Sequence, residues 1–270
     1  MECKKVVLVT GASTGMGRAT VRFLARQGFR VIAATRSPES FTDLSNGNVT
    51  ALAFDITDPK SVRSAFEHID RLDILVNNAG YGLVSTVEDM DETEMLEQFN
   101  VNVFGLLRVT KYAIPLMRKG GGGVIINISS FLGKIGLPLL TMYNATKYAV
   151  EGVTDSLRYE LADFNIRVHS ILPGFFDTQF ARSNLVTNEK TFSDHSPYAG
   201  MVSKLAPQIV EQINHGNDAD EVARLIYRII EDENFPARVT AGEKASKFIP
   251  MRKELSDEDF ERRVREYYGI

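Results

Sequence analysis

The chain has 270 residues, 44% of them hydrophobic and 24% charged, which suits one large α/β domain with a sizeable core. Its formal net charge of −4 offers no basic field for nucleic acid or an anionic membrane, and the single cysteine, Cys3, excludes intrachain disulfides and cysteine-based zinc sites. The opening MECKKVVLVTG holds too short an apolar run for a signal peptide or a membrane span, so a soluble, cytoplasmic protein is expected.

Residues 4–10, KKVVLVT, read as the first strand. Beyond it Met16, Ala19, Thr20, Phe23 and Leu24 recur at helical spacing until Gly28 stops the helix. Gly11, Gly15 and Gly17 therefore stand between strand and helix. Glycines there let the backbone turn sharply and approach a pyrophosphate, whose charge a helix N-terminus favours. A tight strand-to-helix turn needs glycine for folding alone as well, so the turn by itself decides nothing. The second strand, 29–35, ends at Thr35, and Arg36 follows. NAD enzymes usually place a carboxylate at this point, on the adenosine ribose. A guanidinium instead grips a 2′-phosphate through paired hydrogen bonds, which points to NADP(H); a solvated surface arginine is the other reading.

Strands follow at 49–55 and 72–78, then a helix over 91–118 and a strand at 123–129. Ser130 lies just past the end of that fifth strand, and a helix over 143–163 carries Tyr143 and Lys147 four residues apart, on one face. The sixth strand is 166–172. Residues 174–217 mix aromatics, small polar residues and two prolines without sustained periodicity and read as a lid or binding loop. A helix over 219–232 and a charged tail, read as a solvated helix, complete the chain. Most strands are continuous in Val, Ile, Leu and Ala, as in a parallel sheet covered on both faces. Alternation with helices then implies a Rossmann-type, doubly wound α/β domain over 1–270, with its ligand beyond the carboxyl ends of the strands. The glycine turn, Ser130 and Tyr143 converge on that edge.

Seven pieces fall in one register: TGASTGMG (10–17), DIT (55–57), NNAG (77–80), VNVFG (101–105), SS (129–130), YNATK (143–147) and PGFFDT (173–178). Along its whole length the chain resembles the short-chain dehydrogenase/reductase family, nearest the branch that acts on steroids and retinoids. The resemblance implies a catalytic tetrad of Asn102, Ser130, Tyr143 and Lys147. It implies a dinucleotide along Gly11, Ser13, Thr14, Gly15, Met16, Gly17 and Arg36, then Asp55, Ile56, Asn78, Ala79 and Gly80. Tyr143, Lys147, Pro173, Gly174 and Thr178, the last beside the carboxamide, would complete that site. Thr146 departs from the serine commoner in the family. Within this scheme Tyr143 protonates the carbonyl oxygen that receives hydride from NADPH, Ser130 hydrogen-bonds that oxygen, Lys147 also holds the ribose, and Asn102 anchors a water that relays the proton.

Elementary electrostatics is consistent with those roles. A free phenol titrates near 10. An ammonium about 6 Å away, at an effective dielectric near 20, favours the phenolate by roughly 2.8 kcal/mol, about two pK units. With the positive charge of an oxidised nicotinamide, Tyr143 is expected near 7 to 8, where acid–base catalysis works best. A buried tyrosine with a snorkelling lysine is the plainer reading.

Phe131, Leu132, Ile135, Leu137, Leu139, Leu140 and Met142, with Phe175, Phe176, Phe180, Leu185, Phe192, Tyr198 and Met201 from the excursion, would wall a lipophilic carbonyl or alcohol substrate or anchor the lid. His195 reads as a solvated loop histidine, and no metal site is expected. The rival readings are a nonenzymatic NADP(H) sensor or scaffold, and a nucleotide-sugar epimerase or dehydratase, which usually carries a larger C-terminal domain. Helices 91–118 and 143–163 could pair with their copies in a homodimer or homotetramer.

Overall fold

The computed structural model describes residues 4–44, 47–178 and 184–270. Seven parallel strands form one sheet: β1 (Val6–Thr10), β2 (Arg30–Thr35), β3 (Val49–Ala53), β4 (Ile74–Asn77), β6 (Gly123–Ile128), β7 (Ile166–Pro173) and β11 (Arg238–Ala241). Their spatial order is β11-β7-β6-β4-β1-β2-β3. The chain therefore leaves β1 toward one edge and returns through β4 toward the other, which makes the gap between those two strands the topological switch point.

The continuous apolar strands follow from burial on both faces. Val7 and Val9 of β1 face a layer holding Val21 and Leu24 of α1 (Gly15–Arg26) and Ile226 and Ile229 of α7 (Ala219–Glu231). Val6 and Leu8 face the opposite layer, with Val62 of α2 (Pro59–Phe66), Val109, Ala113 and Met117 of α4 (Leu106–Lys119) and Leu157 of α5 (Thr141–Glu160). Each Val, Leu, Ile or Met among them contributes about 1.5–3 kcal/mol on full burial. One polar thread crosses the second layer: Asn77 donates to Asn127 on the neighbouring strand at 2.9 Å and to Thr110 of α4 at 3.0 Å, and Asn127 donates to Thr154 of α5 at 2.9 Å. Hydrogen bonds in so dry a place are directional, so this thread sets the seating of α5, which carries Tyr143 and Lys147.

The helix predicted over 91–118 is not uniform. It comprises α3 (Glu92–Phe99), a π-helical segment at Asn100–Gly105 and α4. An Asp91–Glu94 capping box starts it. Side-chain periodicity does not distinguish one extra backbone residue per turn, so the interruption was invisible to pattern reading. The strand β11, RVTA, is also absent from the sequence reading; at four residues after Pro236, three half-buried and only Ala241 buried, it carries little pattern.

The described residues of the 174–217 excursion are more regular than expected. Two short strands, β8 (Phe176–Asp177) and β9 (Leu185–Thr187), pair with β10 (Asn217–Asp218) and β5 (Gly82–Val84), and α6 occupies Ala199–Asn214. Pro207 inside α6 disguised it, although the buried Val202, Leu205, Ile209 and Ile213 keep helical spacing. The tail is two helices, α8 (Glu243–Glu254) and α9 (Asp257–Tyr268), and it is not simply solvated. Phe260, Val264 and Tyr268 recur every fourth residue and join Phe131, Leu205 and Phe248 in a third core. Among the described residues, no helix is long and apolar enough to cross a membrane.

Leu205 is fully buried in that third core, and Leu205→Ala should cost about 2–5 kcal/mol in urea denaturation. A loss below about 0.5 kcal/mol, the size ordinary for surface substitutions, would show that α6 is not part of the core.

Candidate active site

The ends of β1 and β4 are laced together across the switch point. Thr10 Oγ1 accepts the backbone N–H of Asn78 at 3.0 Å and of Ala79 at 3.1 Å. The Asn78 amide nitrogen donates back to the carbonyls of Thr10 and Gly11 at 3.0 and 3.1 Å. This close approach explains two glycines. A Cβ on Gly11, whose φ is +61°, would lie 2.7 Å from Ala79 Cα, and one on Gly17 would lie 2.2 Å from the Gly11 carbonyl oxygen. Gly17 thus supports the turn from behind. Thr14, in extended conformation at the start of α1, makes no side-chain cap, which leaves the helix's first N–H groups open to a ligand.

A cleft of about 620 Å³ runs over this turn. Gly11, Ser13, Thr14, Gly15 and Met16 form its floor, with Arg36 on one flank beside Asp55 and Ile56. Asn78, Ala79 and Gly80 form the middle, and Tyr143, Lys147 and Thr178 the far end. Arg36 is exposed and has no hydrogen bond or ion pair among the described residues. Thr35 is buried, its hydroxyl accepting the Ser37 N–H at 3.0 Å. One oxygen of Asp55 is held by the N–H and hydroxyl of Thr57, at 2.8 and 2.7 Å. Ser130, Pro173 and Gly174 line instead an adjoining niche of about 70 Å³, shared with Tyr143.

Tyr143 lines both cleft and niche and meets Ser130 in the niche, where the serine hydroxyl favours the ionised phenol. Lys147, 6% exposed, donates from Nζ to the Ile128 carbonyl at 2.9 Å and lies 5.6 Å from the centre of the Tyr143 ring. Asn102 stands behind Gly80: an added Cβ there would be 3.1 Å from Asn102 Oδ1. Its side chain clamps both backbone groups of Tyr81, at 3.0 and 2.9 Å, and donates to Thr146 Oγ1 at 3.0 Å. Thr146 in turn donates to the Tyr143 carbonyl at 2.7 Å.

The electrostatics differ from the expectation for Tyr143. Burial pushes its phenol up to about 12, and the Ser130 hydrogen bond offsets only part of that. Lys147 is itself pulled down to about 8 by burial, with Glu151 opposing. The expected 7 to 8 counts a full ammonium charge near the hydroxyl together with an oxidised nicotinamide and leaves out desolvation, which acts on both groups. In the protein by itself Tyr143 is a neutral phenol. Tyr81 on the cleft wall is also raised to about 12, by burial and then by Glu97 and Glu94.

Of the expected apolar wall, Phe131, Leu132, Leu140, Phe175, Phe176 and Leu185 line the niche. Ile135, Leu137 and Leu139 are buried in the third core behind it. Met142, Phe192, Tyr198 and Met201 reach neither cavity, and Tyr198 donates its hydroxyl to Glu88 at 2.7 Å. His195 is exposed, and Phe180 lies outside the described residues. Ile209 and Ile213 of α6 complete the niche. Their helical spacing in the excursion was the signal for them.

The family profile described as short chain dehydrogenase matches residues 5–189, more than half of the chain. The chain belongs to that family. An uncharacterized oxidoreductase of Schizosaccharomyces pombe is 35% identical over 96% of this chain and 89% of its own length. The 3-ketodihydrosphingosine reductase of Bacteroides thetaiotaomicron is 34% identical over 98% of each chain. A short-chain dehydrogenase from Streptomyces avermitilis superposes with a TM-score of 0.82 at 32% identity, covering 98% of each chain. One from Burkholderia cenocepacia, in complex with NADP, gives 0.77 at 25% identity and 97% of each. The 3-ketoacyl-(acyl-carrier-protein) reductase of Brucella melitensis, complexed with NADH, gives 0.73 at 26%, covering 88% of this chain and 96% of its own. This short-chain dehydrogenase is thus an oxidoreductase with a Rossmann-type fold.

The free enzyme should show no tyrosinate transition from Tyr143 below about pH 10, and oxidised cofactor should lower it, because a positive charge favours the phenolate. Ultraviolet difference titration against Tyr143→Phe reads this, and a transition near 7 without cofactor would contradict the burial argument.

Proposed function

We propose that the enzyme interconverts a carbonyl and an alcohol with NADP(H), on a lipophilic substrate of the long-chain or keto-lipid type. The observation that carries this reading is the pairing of Tyr143 with Ser130 in an apolar niche that adjoins a dinucleotide-sized cleft through Tyr143. When bound, the cofactor supplies or accepts the hydride. The backbone N–H groups of the glycine turn and of the start of α1 would hold its pyrophosphate, and Arg36 the 2′-phosphate. In support of NADP(H), no carboxylate follows β2 and Arg36 is free to pair. Family structures hold either NADP or NADH, so the preference rests on Arg36.

In the reducing direction a neutral Tyr143 is the required form. It gives its proton to the carbonyl oxygen as negative charge develops there, while Ser130 donates a hydrogen bond to the same atom. Lys147 spends one N–H on Ile128 and has two left, for the phenolate formed and for ribose hydroxyls. The Asn102 side chain has both amide protons engaged by Tyr81 and Thr146, so a relay water there would donate to an Asn102 oxygen. For the substrate class, the support is the niche of Leu132, Leu140, Phe175 and Ile209, together with the full-length likeness to a 3-ketodihydrosphingosine reductase.

Tyr143→Phe should lower kcat/KM about 10²–10⁴-fold in a panel of keto-lipids, steroids, retinals and aliphatic ketones, with NADPH still bound. Retained turnover would remove Tyr143 from the chemistry. Arg36→Ala should raise the KM for NADPH about 10-fold or more and leave that for NADH in place. An equal loss for both would mean that Arg36 does not read the phosphate.

Exposed Leu96 of α3, Phe104 of the π-helical segment, Leu107 of α4 and Tyr148 of α5 support self-association as a dimer or tetramer. Sedimentation of a monomer at micromolar concentration would overturn that assignment.

A further inference from the structure

Tyr143, Lys147 and Glu151 follow one another at intervals of one helical turn on α5. Glu151 is 3% exposed, so a charge sits in the interior for a reason that needs naming. One of its oxygens, Oε2, takes Arg238 of β11 at 2.7 Å and Lys134, from the turn after Ser130, at 3.2 Å. Arg238 also pairs with Asp155, one turn further along α5. The other oxygen, Oε1, is buried without a hydrogen-bond partner. Only one of its two oxygens is therefore engaged by those cations. The serine-bearing turn lies directly on this part of the helix. An added Cβ at Gly133 would be 2.8 Å from Ser129 Oγ, 3.0 Å from the Lys147 carbonyl and 3.1 Å from Glu151 Cγ.

We propose that Glu151 is a positioning residue for the reaction: its buried carboxylate, fixed between Lys134 and Arg238, is the counter-charge that keeps Lys147 an ammonium beside Tyr143. This rests on the roles proposed above for Tyr143 and Lys147. Those two ions differ in what surrounds them. Among the described residues, Lys147 has Tyr143 and Glu151 on its own helix, the Ile128 carbonyl and neutral Asn102 near its head, and neutral Ser129 by its backbone carbonyl. Tyr81 and, from α3, Glu94 and Glu97 share the cleft wall, with Asp55 opposite. Lys134, Arg238 and Asp155 stand behind Glu151. Burial drives Lys147 toward the neutral amine, down to about 8, and Glu151 is what opposes it. A neutral amine would no longer stabilise the phenolate, so the enzyme would lose its alkaline working range.

The sign is fixed by this arrangement. In Glu151→Gln the isosteric amide removes the charge, and Lys147 should lose its proton about one unit lower. Loss of kcat/KM relative to wild type should therefore be slight near pH 6 and grow to about tenfold near pH 9. The Lys147 ammonium, observed by ¹⁵N NMR and assigned through its absence in Lys147→Arg, should titrate lower by the same amount. Lys134→Gln, a partly exposed site, should move both readouts the opposite way, and it serves if Glu151→Gln does not fold. A loss of equal size at every pH, with the Lys147 resonance unmoved in both variants, would show Glu151 to be a structural staple and overturn the proposal. The NMR readout does not need turnover, so it stands apart from the test of Tyr143.

Discussion

A lysine head buried at the end of a parallel sheet is the constraint around which this site is organised. An ammonium out of water costs several kcal/mol unless polar groups replace its hydration. Here the replacements are the last carbonyl of β6 and the face of a ring one turn away on α5, with the field of a carboxylate one turn beyond added to them. Each depends on the seating of α5 against the sheet, and that depends on the Asn77–Asn127–Thr154 thread. Catalytic chemistry and core packing are therefore one problem in this molecule.

The sheet was legible because its cause is local. Residues buried on both faces must be apolar at every position, and the central strands show that in Val, Ile and Ala. The glycine turn was legible in the same way, since a Cβ at Gly17 collides with backbone and no other residue removes the collision. β11 and α6 were not. One is too short to carry a pattern, and the other holds a proline that argues against a helix more strongly than four spaced apolar residues argue for it.

The site divides similarly. Residue identities and spacing placed Tyr143, Lys147, Ser130 and the cleft floor, but the ionisation of Tyr143 could not be read from spacing. It is a difference between Coulomb attraction, which a helix period gives, and desolvation, which only the packed surroundings give. The side chain of Asn102 shows a related gap. The family resemblance singles it out, yet its hydrogen bonds reach Tyr81, 21 residues away, across an intervening strand and helix whose joint path no local rule describes.

The lacing of Thr10 to Asn78 and Ala79 has a thermodynamic side. Those bonds tie two neighbouring strands of the sheet to each other, so the backbone donors that face the cleft are held by the same contacts that hold the core. A ligand arriving there meets a surface already ordered and gives up little chain freedom to the protein in docking. Association at this end should accordingly be governed by the dehydration of the ligand's own phosphates, with the protein's entropy nearly silent.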